Sequence, residues 1–402
     1  MRSAKEEGLR TLRDLGLPVP PWIAIGPRDP IPAGLRELSE RMEGAPDLGD
    51  LVSVRSGAAV SMPGMMDTIL GVGSAGLADA VRAVRASWDS PRAVTYRELH
   101  EIPHDLGTWV IVQRMVHGDR DDDSYAGVAF SRDPNTGEPE LFGEVVRRAR
   151  GDAVVAGESP TDPLTTLPGH LRDELRSALR ATERHYRDVC HVEFTVESGR
   201  LWFLQVRSGG LAGAAAVRAA VDLADEGVIS RAEAVRRARP SHGRVARTQE
   251  VIRTGHGLDV IARGRGASPG VAAGRIAVTS DEAVRMAREG SVVLVRPHTS
   301  PLDMHGLAAA AGVVTSQGGP TSHAAVVARS MGKPAVVRAG VLVTPSGVRV
   351  NDRFLSAGSV ITIDGTSGAV VLGEAPVGRL GSDDHLRRLL EWSTSLDLSS
   401  EA

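Results

Sequence analysis

The run at residues 315–337, TSQGGPTSHAAVVARSMGKPAVV, limits the local fold more tightly than any other stretch of the chain. It follows the apolar AGVV, passes through Gly318, Gly319 and Pro320, and enters a helix-forming segment that Gly332 ends before PAVV resumes an apolar run. The pattern predicts strand, turn, helix and strand, with Thr321 or Ser322 available to cap the helix. His323 then falls in the first helical turn. There the free N–H groups and the positive end of the helix dipole favour neutral imidazole over imidazolium and attract anions. Neutral imidazole is a nucleophile, and a phosphoryl group on it would meet those N–H groups and the Thr321 and Ser322 hydroxyls. Arg329, two turns on, could add positive charge. Twelve histidines are present, and on local pattern alone His323 is equally well an incidental residue beside a capped helix.

The rest of the chain predicts an α+β protein of several domains. Residues 4–16 have helical apolar spacing at Leu9, Leu12 and Leu15, stopped by Gly16 and the prolines at 18, 20 and 21. WIAIG reads as extended. The short β-like run from Leu51 to Val54 leads into the Gly- and Met-rich RSGAAVSMPGMMDTILGVG, read as a mobile loop. Residues 77–99 are helical in pattern. TWVIVQRMV and YAGVAFSRDPNTG read as strands, the second entering a hairpin with ELFGEVV. A helix at about 168–188 precedes HVEFTVESGRLWFLQVRSG, a further hairpin. Residues 211–238 are Ala-rich and helical. Beyond them, 263–375 alternate short β runs with brief helices in a domain-sized segment. The expected divisions are 1–240, a linker at 241–262, a second domain at 263–375 and a helical tail at 376–402.

Composition excludes several partners. The formal net charge of −3 comes from interspersed acids and bases, so no field favours nucleic acid or an anionic membrane surface. The N-terminus lacks a signal-type apolar core, and no apolar run reaches the ~20 residues that span a bilayer. A single cysteine, Cys190, permits no internal disulfide, and no Cys/His cluster has zinc spacing. A cytoplasmic location is expected. Of 47 basic side chains only Lys5 and Lys333 are lysines, which marks them either as places where an ammonium and a guanidinium are not equivalent or as chance survivors of an arginine bias, the second reading weighing more for Lys333 than for Lys5.

GGPTSHAAVVARSMGKPAVV resembles the phosphohistidine signature of enzymes that make or use phosphoenolpyruvate. SVRSGAAVSMPGMMDTILGVG resembles the nucleotide-binding loop of the pyruvate phosphate dikinase family. LGLPVPP, SWDSPRAVTYRELHEIP, GVAFSRDPNTGEPELFGE, GDAVVAG, VEFTVESGRLWFLQVRSG and RGRGASPGVAAGRIAVT resemble the same family, in the same order, from about residue 3 to 375. The resemblance implies a shortened ATP-grasp nucleotide-binding domain followed by a swivelling β/β/α domain, with His323 as phosphoryl carrier and Gly318, Gly319, Thr321, Ser322 and Arg329 around it. It implies ATP as substrate with Mg²⁺, and inorganic phosphate as co-substrate. Lys5 falls where a Gly-Gly-Lys motif serves the ATP phosphates, here preceded by Ser3 and Ala4. Arg55 matches the arginine of a Val-Arg-Ser-Gly motif. Gly64, Met65, Met66, Asp67 and Thr68 match the loop that closes over the phosphates. Glu144, Glu193, Gln205 and Arg207 match polar positions around the nucleotide, with Glu193 as metal ligand.

Strand alternation supports part of this independently, because Glu193 shares a face with His191 and Thr195, and Gln205 shares one with Arg207. The same pattern suits a solvent-facing hairpin. Two departures from the family are visible. His191 stands where the family has an aspartate that helps to hold magnesium, and imidazole removes both a charge and a hard oxygen. The stretch from Gly73 to Ala80 also leaves no room for the helical insertion expected after the loop. The family's pyruvate-binding barrel would begin near where this sequence stops, so the acceptor is expected on a partner subunit or to be another small molecule. The implied activity is an ATP-dependent phosphotransfer through His323. A regulatory module that binds nucleotide without turnover is the alternative.

Overall fold

The structure is a computed structural model that describes residues 3–32, 34–41, 50–60, 62, 65–99, 101–150, 161–211, 213–238, 250–252, 257–379 and 384–400. The chain forms two compact units. One comprises Met1–Ala126, Arg147–Gly151 and Val192–Arg207, the other Gly127–Val146, Asp152–His191 and Ser208–Ala402.

In the first unit the helix Ala4–Asp14 begins at Ser3, whose side chain accepts the Glu6 N–H at 3.0 Å. It buries Leu9 and Leu12 completely. Gly8 permits close approach to the strand Arg200–Ser208, since a Cβ there would lie 3.0 Å from the Val206 carbonyl oxygen. An antiparallel sheet runs in the order Trp22–Ile25, Trp109–Arg114, Val52–Gly57, Thr68–Val72. Val52, Val54, Val110 and Val112 pack with Leu77, Val81 and Val84 of the helix Leu77–Ala86. The helical run expected over 77–99 is interrupted: a 3₁₀ turn at Ser87–Asp89 separates that helix from Pro91–Leu99. Pro91 is the cause, because a residue before proline is pushed out of the α region, and Ser90 is extended at ψ 146°.

A five-stranded sheet has the order Asp162–Pro163, Phe142–Arg147, Tyr125–Phe130, Cys190–Glu197, Arg200–Ser208. Its last two strands are the hairpin expected at HVEFTVESGRLWFLQVRSG. The helix before them spans Gly169–Tyr186.

The second unit holds an eight-stranded mixed sheet. Its order is Val260–Arg263, Ala369–Leu372, Val360–Asp364, Val271–Ala277, Val292–Arg296, Gly312–Thr315, Ala335–Val337, Arg265–Ser268. Val271–Ala277 through Ala335–Val337 are mutually parallel. Helices Ser280–Ala287, Met304–Ala309 and His323–Ser330 lie between these strands in sequence and bury Ala283, Leu307, Ala325 and Ala328 against one face. The other face packs Ile276, Val293, Val314 and Ile361 against Val348, Val350 and Leu355 of a three-stranded sheet at 342–356. The layers are therefore β/β/α.

Strand pairing joins segments distant in sequence, and the expected linker range 241–262 takes part in it. Within the linker range, the described residues include Glu250–Ile252, paired with Val377–Arg379, and the start of Val260–Arg263, paired with Ala369–Leu372. Residues 241–249 and 253–256 of that range lie outside the described residues. The tail is helical over Asp384–Ser400, and its Leu389 and Trp392 pack with Val217, Val221, Ala234 and Val235 of the helices Gly213–Asp225 and Arg231–Ala238. Trp392→Ala is expected to cost about 3–4 kcal/mol by emptying this cluster, measured by urea unfolding.

Candidate functional site

Lys5, Arg55, Glu193, Gln205 and Arg207 all belong to the first unit. Arg55 extends from the strand Val52–Gly57, donating through Nη2 to Glu193 Oε2 at 2.8 Å and to Gln205 Oε1 at 3.3 Å, and through Nη1 to the Leu204 carbonyl at 3.1 Å. Ser3 begins the helix that carries Lys5, and the Ala4 N–H donates to the Ala58 carbonyl at 3.3 Å, tying Lys5 to the strand of Arg55. Lys5 keeps part of its surface accessible, yet burial, then the Arg55 and Arg207 charges, hold its ammonium well below the usual lysine pKa against the pull of Glu193. Burial pushes the Glu193 carboxyl up, but Arg55, Arg207 and Lys5 outweigh it and hold it below the carboxylate range. Three cations thus share one carboxylate, an excess that suits phosphate oxygens. Lysine keeping its identity at position 5 is consistent with an ammonium able to adjust its charge there.

Among the described residues no group of three or more His, Cys, Asp or Glu side chains could hold a metal ion. One carboxylate, Glu193, and the Gln205 amide oxygen are the hard donors of this cluster, a set that fits Mg²⁺ held largely through nucleotide phosphates. His191 lies two residues before Glu193 on the strand Cys190–Glu197 and stacks on Phe130 at 5.0 Å between ring centroids.

The loop read as closing over phosphates is fastened at its far end. Arg92 pairs with Asp67 and donates to the Met65 carbonyl at 3.0 Å, while Ser87 Oγ accepts the Asp67 N–H at 3.0 Å. Met65 is buried, Met66 and Asp67 half-buried and Thr68 exposed. Gly64 lies outside the described residues. Arg92 was not singled out from the sequence. Its place after Ser-Pro at the start of a helix was the available signal.

In the second unit, the parallel strands Val292–Arg296 and Gly312–Thr315 end on the same side, and their following loops meet at His323, as the carboxyl ends of such sheets commonly do. His323 opens the helix His323–Ser330, as expected, with Ser322 at the N-cap. Thr299 Oγ1 lies 3.2 Å from His323 Nδ1. His323 Nε2 and Ser322 Oγ are both buried and make no hydrogen bond among the described residues. Burial holds the imidazole below its ordinary pKa, an effect partly countered by the Asp303 carboxylate. Ser322 provides no side-chain cap bond. Gly318 takes a left-handed φ of 80°, which tightens the turn against Ser322.

Thr321 is held by Glu144. Glu144 Oε2 accepts the Thr321 N–H at 3.1 Å and its hydroxyl at 2.6 Å, and Oε1 accepts the Thr161 hydroxyl at 2.7 Å and Arg265 Nη1 at 3.0 Å. Glu144 is fully buried. Gly319 backs onto the same carboxylate, where a Cβ would lie 1.9 Å from Oε1. Glu144, grouped with the nucleotide residues from the sequence, is thus committed within the second unit to the loop that precedes His323. Arg329 is buried, with burial pushing its pKa down to about 10, and Nη1 donates to the Ala267 carbonyl at 2.6 Å. Thr161, Arg265, Thr299 and Asp303 were missed by the sequence reading, since none lies in the signature around His323.

Residues 28–172 match the pyruvate phosphate dikinase AMP/ATP-binding domain, and residues 288–368 match the mobile domain of PEP-utilising enzymes. The chain belongs to the pyruvate phosphate dikinase family of PEP-utilising enzymes. Its α+β fold is an ATP-grasp nucleotide-binding domain followed by a PEP-utiliser mobile domain. It is 43% identical over 339 residues to pyruvate, phosphate dikinase of Rhizobium meliloti (strain 1021), covering 78% of this chain and 37% of that protein. Pyruvate, phosphate dikinase 1, chloroplastic, of Oryza sativa subsp. japonica is 33% identical over 512 positions, covering 96% of this chain and 53% of that protein. Pyruvate, phosphate dikinase 2 of Zea mays is 34% identical over 493 positions, covering 96% and 54%. The chain spans between about a third and about half of the length of these relatives. The 512 aligned positions exceed the 402 residues of this chain, so the rice relative carries internal segments without a counterpart here. No helix among the described residues is long and apolar enough to cross a membrane.

Gly319→Ala is expected to destabilise the fold by about 1–3 kcal/mol through collision with Glu144, whereas Gly340→Ala, which meets nothing within 4 Å, should be nearly neutral in the same urea experiment. The depressed His323 pKa also fixes a sign. The unfolded chain binds a proton that the folded site resists, so stability supplied by neutral His323 is present above about pH 6.5 and is lost as pH falls through the lower folded value. Thermal melts of wild type against His323→Gln should show wild type losing stability faster on acidification from that pH.

Proposed function

We propose that the chain is an ATP-dependent phosphotransferase in which His323 Nε2 carries the phosphoryl group. The observation that carries this reading is the buried Nε2 without a hydrogen bond, beside a buried Ser322 hydroxyl in the same condition. With the Nδ1 proton donated to Thr299 Oγ1, the Nε2 lone pair is available for attack on phosphorus. Burial keeps the imidazole neutral, and the Ser322 hydroxyl is a donor for the oxygens of the phosphorylated product.

Lys5, Arg55 and Arg207 would bind the ATP phosphates, and Glu193 would orient Arg55 and hold Mg²⁺ with Gln205 nearby. Bound Mg²⁺ would neutralise charge on the phosphate oxygens. Met65, Met66, Asp67 and Thr68, anchored by Arg92, would cover the phosphates. In the dikinase reading Nε2 retains the β-phosphoryl group, AMP leaves and inorganic phosphate receives the γ-phosphoryl group. The mobile domain then passes the phosphoryl group to pyruvate on a partner subunit or to another small molecule. The domain divisions 1–240 and 263–375, with a hinge near 241–262, belong to the same proposal. So does a cytoplasmic location, in keeping with the buried free thiol of Cys190.

One observation favours a second reading, a module that binds nucleotide without turnover: His191 supplies no carboxylate beside Glu193. Incubation with Mg²⁺ and ATP labelled separately at the β and γ positions, with and without inorganic phosphate, separates the two. Acid-labile, base-stable protein label from the β position, with AMP formed and label abolished in His323→Ala, is the expected result. Nucleotide binding without label from either position would sink the transferase reading in favour of the module, and label persisting in His323→Ala would remove His323 as carrier.

A further inference from the structure

Lys333 stands where the helix His323–Ser330 ends, one of only two lysines among 47 basic side chains. The helix closes through Gly332 at φ 62°, with the Gly332 N–H donating to the Arg329 carbonyl at 3.0 Å and the Lys333 N–H to the Ala328 carbonyl at 2.9 Å. This paired C-terminal motif fixes where the Lys333 side chain departs. Its Nζ donates to the carbonyls of Leu307 at 3.0 Å, Ala310 at 2.5 Å and Ala308, all at the C-terminal end of the helix Met304–Ala309. Those oxygens have no partner within their own helix and form its negative end. A compact ammonium with three donors suits three converging acceptors, whereas the planar fork of arginine does not.

The opposite ends of the same two helices meet at the nucleophile. Met304 follows Asp303, whose carboxylate accepts the Ser300 N–H at 2.9 Å and the Ser280 hydroxyl at 2.8 Å and lies 3.3 Å from Arg296 Nε. Thr299, next to Ser300, touches His323 Nδ1. Gly306 lets the second helix press onto Ser280, since a Cβ there would lie 2.6 Å from the Ser280 Cα. The contacts form a closed ring from His323 along its helix to Lys333, across to the second helix, and back through Asp303 and Thr299.

We propose that Lys333 is a positioning residue for His323, closing a ring of two helices that holds the Thr299 hydroxyl against Nδ1 and so leaves Nε2 as the nucleophilic nitrogen. The catalytic consequence rests on His323 being the carrier, but the effect on the imidazole does not. Removing the ammonium leaves three carbonyls uncapped, frees the second helix to shift, and moves Thr299 with it.

The test uses the full chain labelled with ¹⁵N-histidine, as wild type, Lys333→Arg and Lys333→Met, with His323 assigned by the resonance lost in His323→Gln. The expected result is one Nδ1–H tautomer in wild type, and mixed tautomers in folded Lys333→Arg with phosphoenzyme formation slower by about 10²-fold, the scale of a displacement near 1 Å. Lys333→Met should behave in the same way. An unchanged tautomer in Lys333→Arg, or an unchanged rate in a protein that labels, overturns the proposal. Loss of the fold in both variants also overturns it, because the lysine would then support the domain as a whole. If wild type forms no phosphoenzyme, the carrier reading fails while the tautomer spectra still decide what Lys333 does.

Discussion

The buried carboxylate of Glu144 organises the loop before His323. Removing a carboxylate from water costs several kcal/mol unless its oxygens are paired and hydrogen-bonded. Here the cost is offset by four donors: the Thr321 N–H and hydroxyl, the Thr161 hydroxyl and Arg265. Bonds to a charged group contribute about 1.5–3 kcal/mol each, enough for the arrangement to hold while complete and to fail if one partner is lost. Thr321 spends both of its donors on Glu144, while the Ser322 hydroxyl and His323 Nε2 lie buried beside it without a hydrogen bond among the described residues.

The first unit meets a similar electrostatic constraint with the opposite sign. Lys5, Arg55 and Arg207 act on one carboxylate, Glu193, and the mismatch is felt as a depressed lysine and a depressed glutamate together. A group of cations compensated this sparingly is poised for a polyanion. By contrast, buried Arg132 is surrounded by Glu183, Glu226 and Asp222. That surplus of carboxylates leaves no uncompensated positive charge for an anion, which distinguishes the two clusters on physical grounds.

Much of the second unit was legible because its strands are short, apolar and separated by Gly, Pro or brief helices, so local pattern and tertiary role agree. The strands at 342–344, 347–350 and 353–356 were missed. They are only three or four residues long, and Leu342, Arg349 and Phe354 place apolar and charged side chains together on a face that periodicity could not assign. The helical run at 77–99 was read as one because the apolar spacing continues across Pro91, whereas the backbone does not. The place of His323 at a helix start was readable from Gly-Gly-Pro, Thr-Ser and the run after them.

The sequence by itself determined which local conformations were available and which side chains could bear chemistry: a histidine at a helix start, a glycine turn before it, and polar pairs alternating on a hairpin. It could not determine which distant groups would share a buried space. Tertiary structure brought Glu144 to Thr321, Thr299 to Nδ1, Arg92 to Asp67 and Lys333 to three carbonyls. The reason is physical. Backbone preference acts over a few residues, but the demand that every buried charge and polar group find a partner is met by whichever groups the packed core brings within hydrogen-bond reach.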